Sequence, residues 1–357
     1  MPSHGPHSPQ YPSVEQRNPP CGGAVKALTG AIQLACKRRK LPETLAATSV
    51  CQDWTWEPIR PTELGNAFES FNSIVSVLTE AQQVLAYERS QGGNQATYSL
   101  AKRELDLLHH KLTQNFLEHL SQVRDPLGVL ISLLHHPEIR ATSACVSAIL
   151  GVRDEKEGGD ERRHSEVDRK SFYARGGYMY QASDLYELRC IFSALALKEG
   201  ITFYDLGSGY GHVLFCGAAS RRDITFKGIE LMSSRVAECN DAKNRLGLMN
   251  LSFTASDVTT GGFSDADVIF LFNPFPPDTQ GEVTELIHQL ALMKPLAILD
   301  YGGFVTQRLT SVVPIVGPDI APYRLVASRK FLKEACELVG MPVPRGTSAR
   351  NNSGRSL

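Results

Sequence analysis

The sequence predicts an α/β fold, a mostly parallel sheet covered by helices, preceded by a helical domain. Three observations predict it. A strand, a glycine turn and a helix start form one corner at Ile201–Gly217, ITFYDLGSGYGHVLFCG. Strand and helix patterns then alternate to about residue 300. Upstream, residues 62–150 place apolar side chains at three- and four-residue steps.

Length and composition set the outer bounds. A chain of 357 residues accommodates two domains, or one with a large extension. The formal charge of −1 gives no global attraction to nucleic acid or to an anionic membrane. The eight cysteines form no C-x-x-C pair, which argues against a zinc knuckle or disulfide scaffold and suits a reducing compartment. No metal site is expected. No run reaches the roughly 18 apolar residues of a membrane span.

Residues 1–23 are rich in proline, glycine and serine and are expected to be a disordered tail. They lack the basic and apolar regions of a signal peptide, so a cytoplasmic location is expected, with nuclear or host-delivered siting as alternatives. A short apolar run from Gly30 ends in Lys37-Arg38-Arg39-Lys40, which reads as the charged last turn of a helix, with contact to a phosphate or an acidic partner as the alternative. Trp54 and Trp56 read as core residues, with a recognition surface as the alternative.

Residues 24–150 are expected to form the helical domain. Phe68, Phe71, Ile74, Val75, Leu78, Ala81 and Leu85 mark one helix over Thr62–Arg89. Gly92-Gly93-Asn94 breaks it. Leu105, Leu108, Leu112, Phe116 and Leu120 mark a second over Ser99–Leu120. Its histidines lack the spacing of a helical ligand pair and read as exposed. Pro126 opens a third helix, and a fourth covers Ile139–Leu150. This region holds no catalytic cluster, and its apolar faces need each other or the next domain for burial; it could also cover a pocket or form a homodimer.

Residues 151–171 are dense in charge and read as a linker or loop. Residues 172–342 form the second domain, and 343–357 a disordered tail. Strands are expected at about 201–206, 225–230, 251–255, 268–272 and 296–300, with helices at about 212–219, 233–246 and 281–292. Thr310–Val316 and Tyr323–Ala327 are candidate antiparallel edges. At the corner, Gly207, Gly209 and Gly211 allow backbone conformations and approaches that a Cβ blocks. The helix start favours an electron-rich group. Glu230 closes the second strand roughly 20 residues on, where an acid commonly receives ribose hydroxyls.

With DLGSGYG at 205–211, Ser256-Asp257 after the third strand and Asn273-Pro274-Phe275 after the fourth, residues 172–330 resemble the class I S-adenosylmethionine-dependent methyltransferases. The resemblance implies a seven-stranded, Rossmann-like methyltransferase sheet and S-adenosyl-L-methionine as cofactor. It implies cofactor contacts from Asp205, Gly207, Ser208, Gly209, Gly211, Glu230, Ser256 and Asp257. Asp205 would lie near the methionine amino group, and Asp257 would take the adenine amino hydrogen. A nicotinamide-binding enzyme is the competing reading of the glycine corner. More distantly, YxYQAS…YDLGSGYG…GIE…NPF resembles the DOT1-like histone lysine methyltransferase group. Tyr180, Asn273 and Phe275 would then line an acceptor channel, and Pro274 would complete the catalytic motif. The group's upstream Y-G-E is replaced here by Tyr180-Gln181-Ala182. These resemblances imply methyl transfer to a nitrogen on a protein side chain. Small-molecule N- or O-methylation and a non-catalytic cofactor-binding protein are the alternatives.

Overall fold

The computed structural model describes residues 22–38, 62, 64–92, 94–136, 141–152, 182–272, 275–303, 305–315 and 320–344. Trp54, Trp56, Tyr178, Tyr180, Gln181, Asn273, Pro274, the charged run 153–171 and both expected tails, except Gly22 and Gly23 of the first and 343–344 of the second, lie outside them. Contacts divide the chain into two units, Met1–Glu57 with Asn66–Phe116, and Pro58–Gly65 with Leu117–Leu357.

The first unit is helical. Helix α1 spans Gly22–Arg38, so it starts inside the stretch expected to be a tail. Helix α2 spans Leu64–Ser90 and α3 spans Gln95–Ser121, four residues earlier than the apolar pattern begins. That early start has a local cause. Asn94 Oδ1 accepts from the N–H groups of Ala96 and Thr97 and caps the first turn. Phe116 stacks on Phe71 at 4.2 Å and meets Phe68 edge-on at 5.1 Å. Val77 and Val84 are buried with the expected apolar set, whereas Val75 is half-buried.

The second unit contains the sheet. Two helices precede it, α4 at Pro126–His135 and α5 at Ser143–Leu150. Helix α4 is capped by Asp125, whose Oδ1 accepts from Gly128 N–H at 2.9 Å. Helix α6 follows at Leu185–Ala194. The strands are β1 Thr202–Leu206, β2 Thr225–Glu230, β3 Leu251–Ala255, β4 Val268–Leu271, β5 Ala297–Tyr301, β6 Val312–Pro314 and β7 Tyr323–Ser328. Their order is β3-β2-β1-β4-β5-β7-β6. Strands β1 to β5 pair in parallel, and β7 runs antiparallel to both β5 and β6. The two segments expected as antiparallel strands therefore complete the sheet, β6 at its edge and β7 between β5 and β6.

The crossovers are helices α7 at His212–Ser220, α8 at Ser233–Leu246 and α9 at Pro277–Met293. Helix α9 begins four residues before its apolar pattern, since a proline is tolerated in a first turn. A last helix, α10 at Leu332–Leu338, has no counterpart in the sequence reading. One sheet face buries Tyr204, Leu206, Ile269, Leu271 and Ile298 against Val283 and Ile287 of α9. The other face carries Phe203, Phe226 and Phe270, with Phe192 of α6 packed on the first two. No helix among the described residues is long and apolar enough to cross a membrane.

Candidate functional site

The parallel strands end together, and the strand order reverses between β1 and β4. Ligands of open α/β sheets bind at such a reversal, beyond the carboxyl ends of the strands. Here the chain leaves β1 through the glycine corner. Gly207 N–H and Ser208 N–H both donate to Ile229 O, at 2.8 and 3.0 Å, which ties the turn to the end of β2. Gly207, Gly209 and Gly211 have φ of 83°, 53° and 72°, a region that disfavours side chains. A Cβ on Gly211 would come within 2.6 Å of the Phe253 ring. Gly228 is equally constrained: its Cβ would lie 2.6 Å from Ser208 Oγ and 2.7 Å from Leu214.

Two polar side chains at this corner are buried. Asp205 is 4% exposed. Burial, and then the nearby Glu230 carboxylate, push its pKa up to about 8. Ser208 Oγ is buried and unbonded. Buried polar groups are normally satisfied, so Ser208 Oγ fits a ligand that brings its own hydrogen-bonding group.

Glu230 is engaged differently. Its Oε2 accepts from Gly209 N–H at 2.9 Å, and its Oε1 accepts from Met232 N–H at 3.0 Å. Arg235 approaches the same oxygen at 3.4 Å and lies over the Tyr210 ring at 5.6 Å. A carboxylate has about four acceptor sites, so ribose hydroxyls can still be received. Ser256 N–H donates to Glu230 O at 3.0 Å, and its hydroxyl lies 3.3 Å from Thr260 Oγ1. Asp257 caps the 3₁₀ turn Val258–Thr260, its Oδ1 accepting from the Thr259 N–H and hydroxyl at 2.9 and 2.7 Å. Phe275 is 8% exposed and packs in the cluster that holds Leu271, Val283 and Ile287, so its ring serves the apolar core. The structure thus gathers Asp205, the three glycines, Ser208 and Glu230 at one corner, with Ser256 bonded to its rim. Among the described residues no cluster of three or more His, Cys, Asp or Glu could hold a metal ion.

Three contacts escape sequence reading. His212 Nε2 lies 2.9 Å from Ser147 Oγ, and both residues are buried. Cys239 Sγ lies 3.6 Å from Gly209 O under the glycine turn. Burial, helped by Glu230, holds that thiol well above its ordinary pKa. Tyr323 Oη lies 3.3 Å from Glu187 Oε2. The pairs are 65, 30 and 136 residues apart, and no local pattern links such distant positions.

No family model matches the chain, and no curated protein matches it. Solved structures do. TrmN from Thermus thermophilus is 16% identical, over 40% of this chain and 47% of that one, at a TM-score of 0.32. A SAM-dependent methyltransferase from Aquifex aeolicus is 20% identical over 37% of this chain and 84% of that one, at 0.30. Another, from Thiobacillus denitrificans in complex with S-adenosyl-L-homocysteine, is 22% identical over 42% and 56%, at 0.29. The chain spans about half the length of TrmN. The sheet itself, seven strands in the order 3-2-1-4-5-7-6 with β7 antiparallel, is a Rossmann-like methyltransferase fold preceded by helices.

Proposed function

We propose that this chain is an S-adenosyl-L-methionine-dependent methyltransferase acting on a nitrogen acceptor on a protein side chain. The observation that carries the cofactor reading is the buried, unbonded Ser208 Oγ, together with the buried Asp205 carboxyl, at a glycine corner beyond the parallel strand ends. Asp205 would receive the ammonium of the methionine moiety. The turn Gly207–Gly211 would approach it by backbone, Glu230 would take ribose hydroxyls, and Ser256 and Asp257 would meet the adenine edge.

When bound, the cofactor supplies an electrophilic methyl group on a sulfonium. The chain's own contribution is alignment and the exclusion of water. The Asn273 side-chain carbonyl and the Pro274 backbone carbonyl would accept two hydrogens from a neutral amine and direct its lone pair. Phe275, buried in the core, would anchor that segment rather than touch the acceptor. Tyr180 would border the acceptor channel, as the DOT1-like resemblance implies. Both the nitrogen specificity and the protein substrate belong to this proposal.

Calorimetry with S-adenosyl-L-homocysteine tests the cofactor assignment. Binding between low micromolar and millimolar is expected, the range of common enzyme substrates. Absence of heat and of a thermal shift at millimolar ligand overturns it. Incubation with methyl-labelled cofactor tests the acceptor: label is expected in the protein pool, and label confined to small molecules contradicts the protein substrate.

A further inference from the structure

Asp205 shares its sheet face with a group of aromatic residues that the cofactor assignment does not use. In the parallel register Asp205 lies opposite Phe270, and in the antiparallel register Tyr301 lies opposite Tyr323. Tyr323 is the hub. Its ring lies 5.3 Å from Phe270, 5.4 Å from Tyr301 and 6.2 Å from Phe272, while Phe272 and Tyr301 meet at 4.7 Å. Phe270 is fully buried and belongs to the core. Phe272 and Tyr301 are half-buried, just where β4 and β5 end. The Tyr323 hydroxyl reaches Glu187 Oε2 at 3.3 Å and is also bonded to Ser183.

Glu187 sits in the first turn of α6 and also accepts from the backbone N–H of Asp184, which caps the helix. These two bonds occupy half of its acceptor capacity. Among the described residues no cation pairs with it. Burial holds its carboxyl above the ordinary value, with Asp184 adding to the effect and Tyr323 opposing it. An aromatic group that joins, through Tyr323, a carboxylate with no cation partner among the described residues attracts a cation through ring quadrupoles and charge together.

We propose that Phe272, Tyr301, Tyr323 and Glu187 form a recognition subsite for an aliphatic ammonium group, the form in which an amine acceptor arrives. The methyltransfer role of this subsite rests on the function proposed above. Its cation preference does not. Tyr323 holds both the ring wall and the carboxylate in place.

The probe is n-butylammonium, with n-butanol as its uncharged counterpart, observed on the full chain by saturation-transfer and titration NMR. Wild-type protein is expected to bind the ammonium in preference to the alcohol. Glu187→Gln keeps shape and capping ability, and is expected to weaken the ammonium by about tenfold or more while leaving the alcohol unchanged. Tyr301→Leu is expected to weaken the ammonium severalfold. Equal binding of the two probes by wild type, no binding of either, or unchanged ammonium affinity in Glu187→Gln overturns the subsite. S-adenosyl-L-homocysteine binding, measured on the same samples, reports separately on the methyltransferase reading. It is expected to be the same in Glu187→Gln as in wild type.

Discussion

In the proposed function Asp205 serves binding at the expense of stability. Its folded pKa of about 8 lies far above that of an unfolded carboxyl. Between about pH 4 and pH 8 the folded chain keeps a proton that the unfolded chain releases. Its contribution to stability is therefore fully present below the unfolded value and is lost as pH rises toward 8. Asp205→Asn is expected to flatten this slope and to stabilise the fold near pH 8 by on the order of a few kcal/mol. The same variant is expected to lose cofactor affinity. Thermal melts of both proteins from pH 5 to 8.5 check the first effect: a difference in stability that does not grow with pH contradicts it. The proposed Asn273→Ala variant acts elsewhere. It is expected to lower turnover more than cofactor affinity, and an unchanged rate removes Asn273 from the acceptor site.

Between elements, the decisive contacts are close approaches and captured helix ends. Gly228→Ala places a methyl group against Ser208, Leu214 and Phe253, all nearer than 3.0 Å. Overpacking of this kind costs about 1–3 kcal/mol. Denaturant unfolding is expected to show that loss, together with weaker cofactor binding, because the displaced residue is in the glycine turn. Helices α4 and α5 are held from the sheet side. Arg189 donates to Leu133 O, with its Nε at 2.7 Å. Arg245 donates to Leu150 O and, at 3.3 Å, to Ile149 O. His212 bonds Ser147. Ser147→Ala leaves the imidazole buried without that partner and is expected to cost about 1–3 kcal/mol. A ΔΔG within a few tenths of zero contradicts a stabilising role for the pair. His212 directly follows Gly211, so this bond fixes the helix at the exit of the glycine turn.

For the whole molecule, the grouping of contacts separates a helical unit from the sheet-bearing one. Helices α4 and α5 fall on the sheet side although their sequence continues the helical pattern. A fragment of residues 122–357 is expected to fold cooperatively. A fragment that begins after α5 is expected to lose much of that stability, because Arg189, Arg245 and His212 lose their bonds to α4 and α5. Circular dichroism and thermal melts of the two fragments distinguish these outcomes, and equal stability contradicts the integral role of α4 and α5. The division between Phe116 and Leu117 falls inside α3, whose apolar pattern runs on without a break, so no boundary is visible there in the sequence. Periodicity reports that a helix has an apolar face, not what covers it.

The sequence by itself determined the strands, the crossovers and the glycine corner, because each depends on local rules: apolar runs, period, and residues that tolerate positive φ. Gly207, Gly209, Gly211 and Glu230 are legible for that reason. Tertiary structure decided what those groups face. Ser208 is orphaned only because Gly228 admits its hydroxyl, and Glu230 bonds the turn only because β2 ends beside it. Phe275 became a core residue because β4 and α9 close over it. Tyr323 and Glu187, separated by 136 residues, meet because an antiparallel last strand returns beside β5. Such pairings depend on where the chain returns, and local pattern carries no record of that.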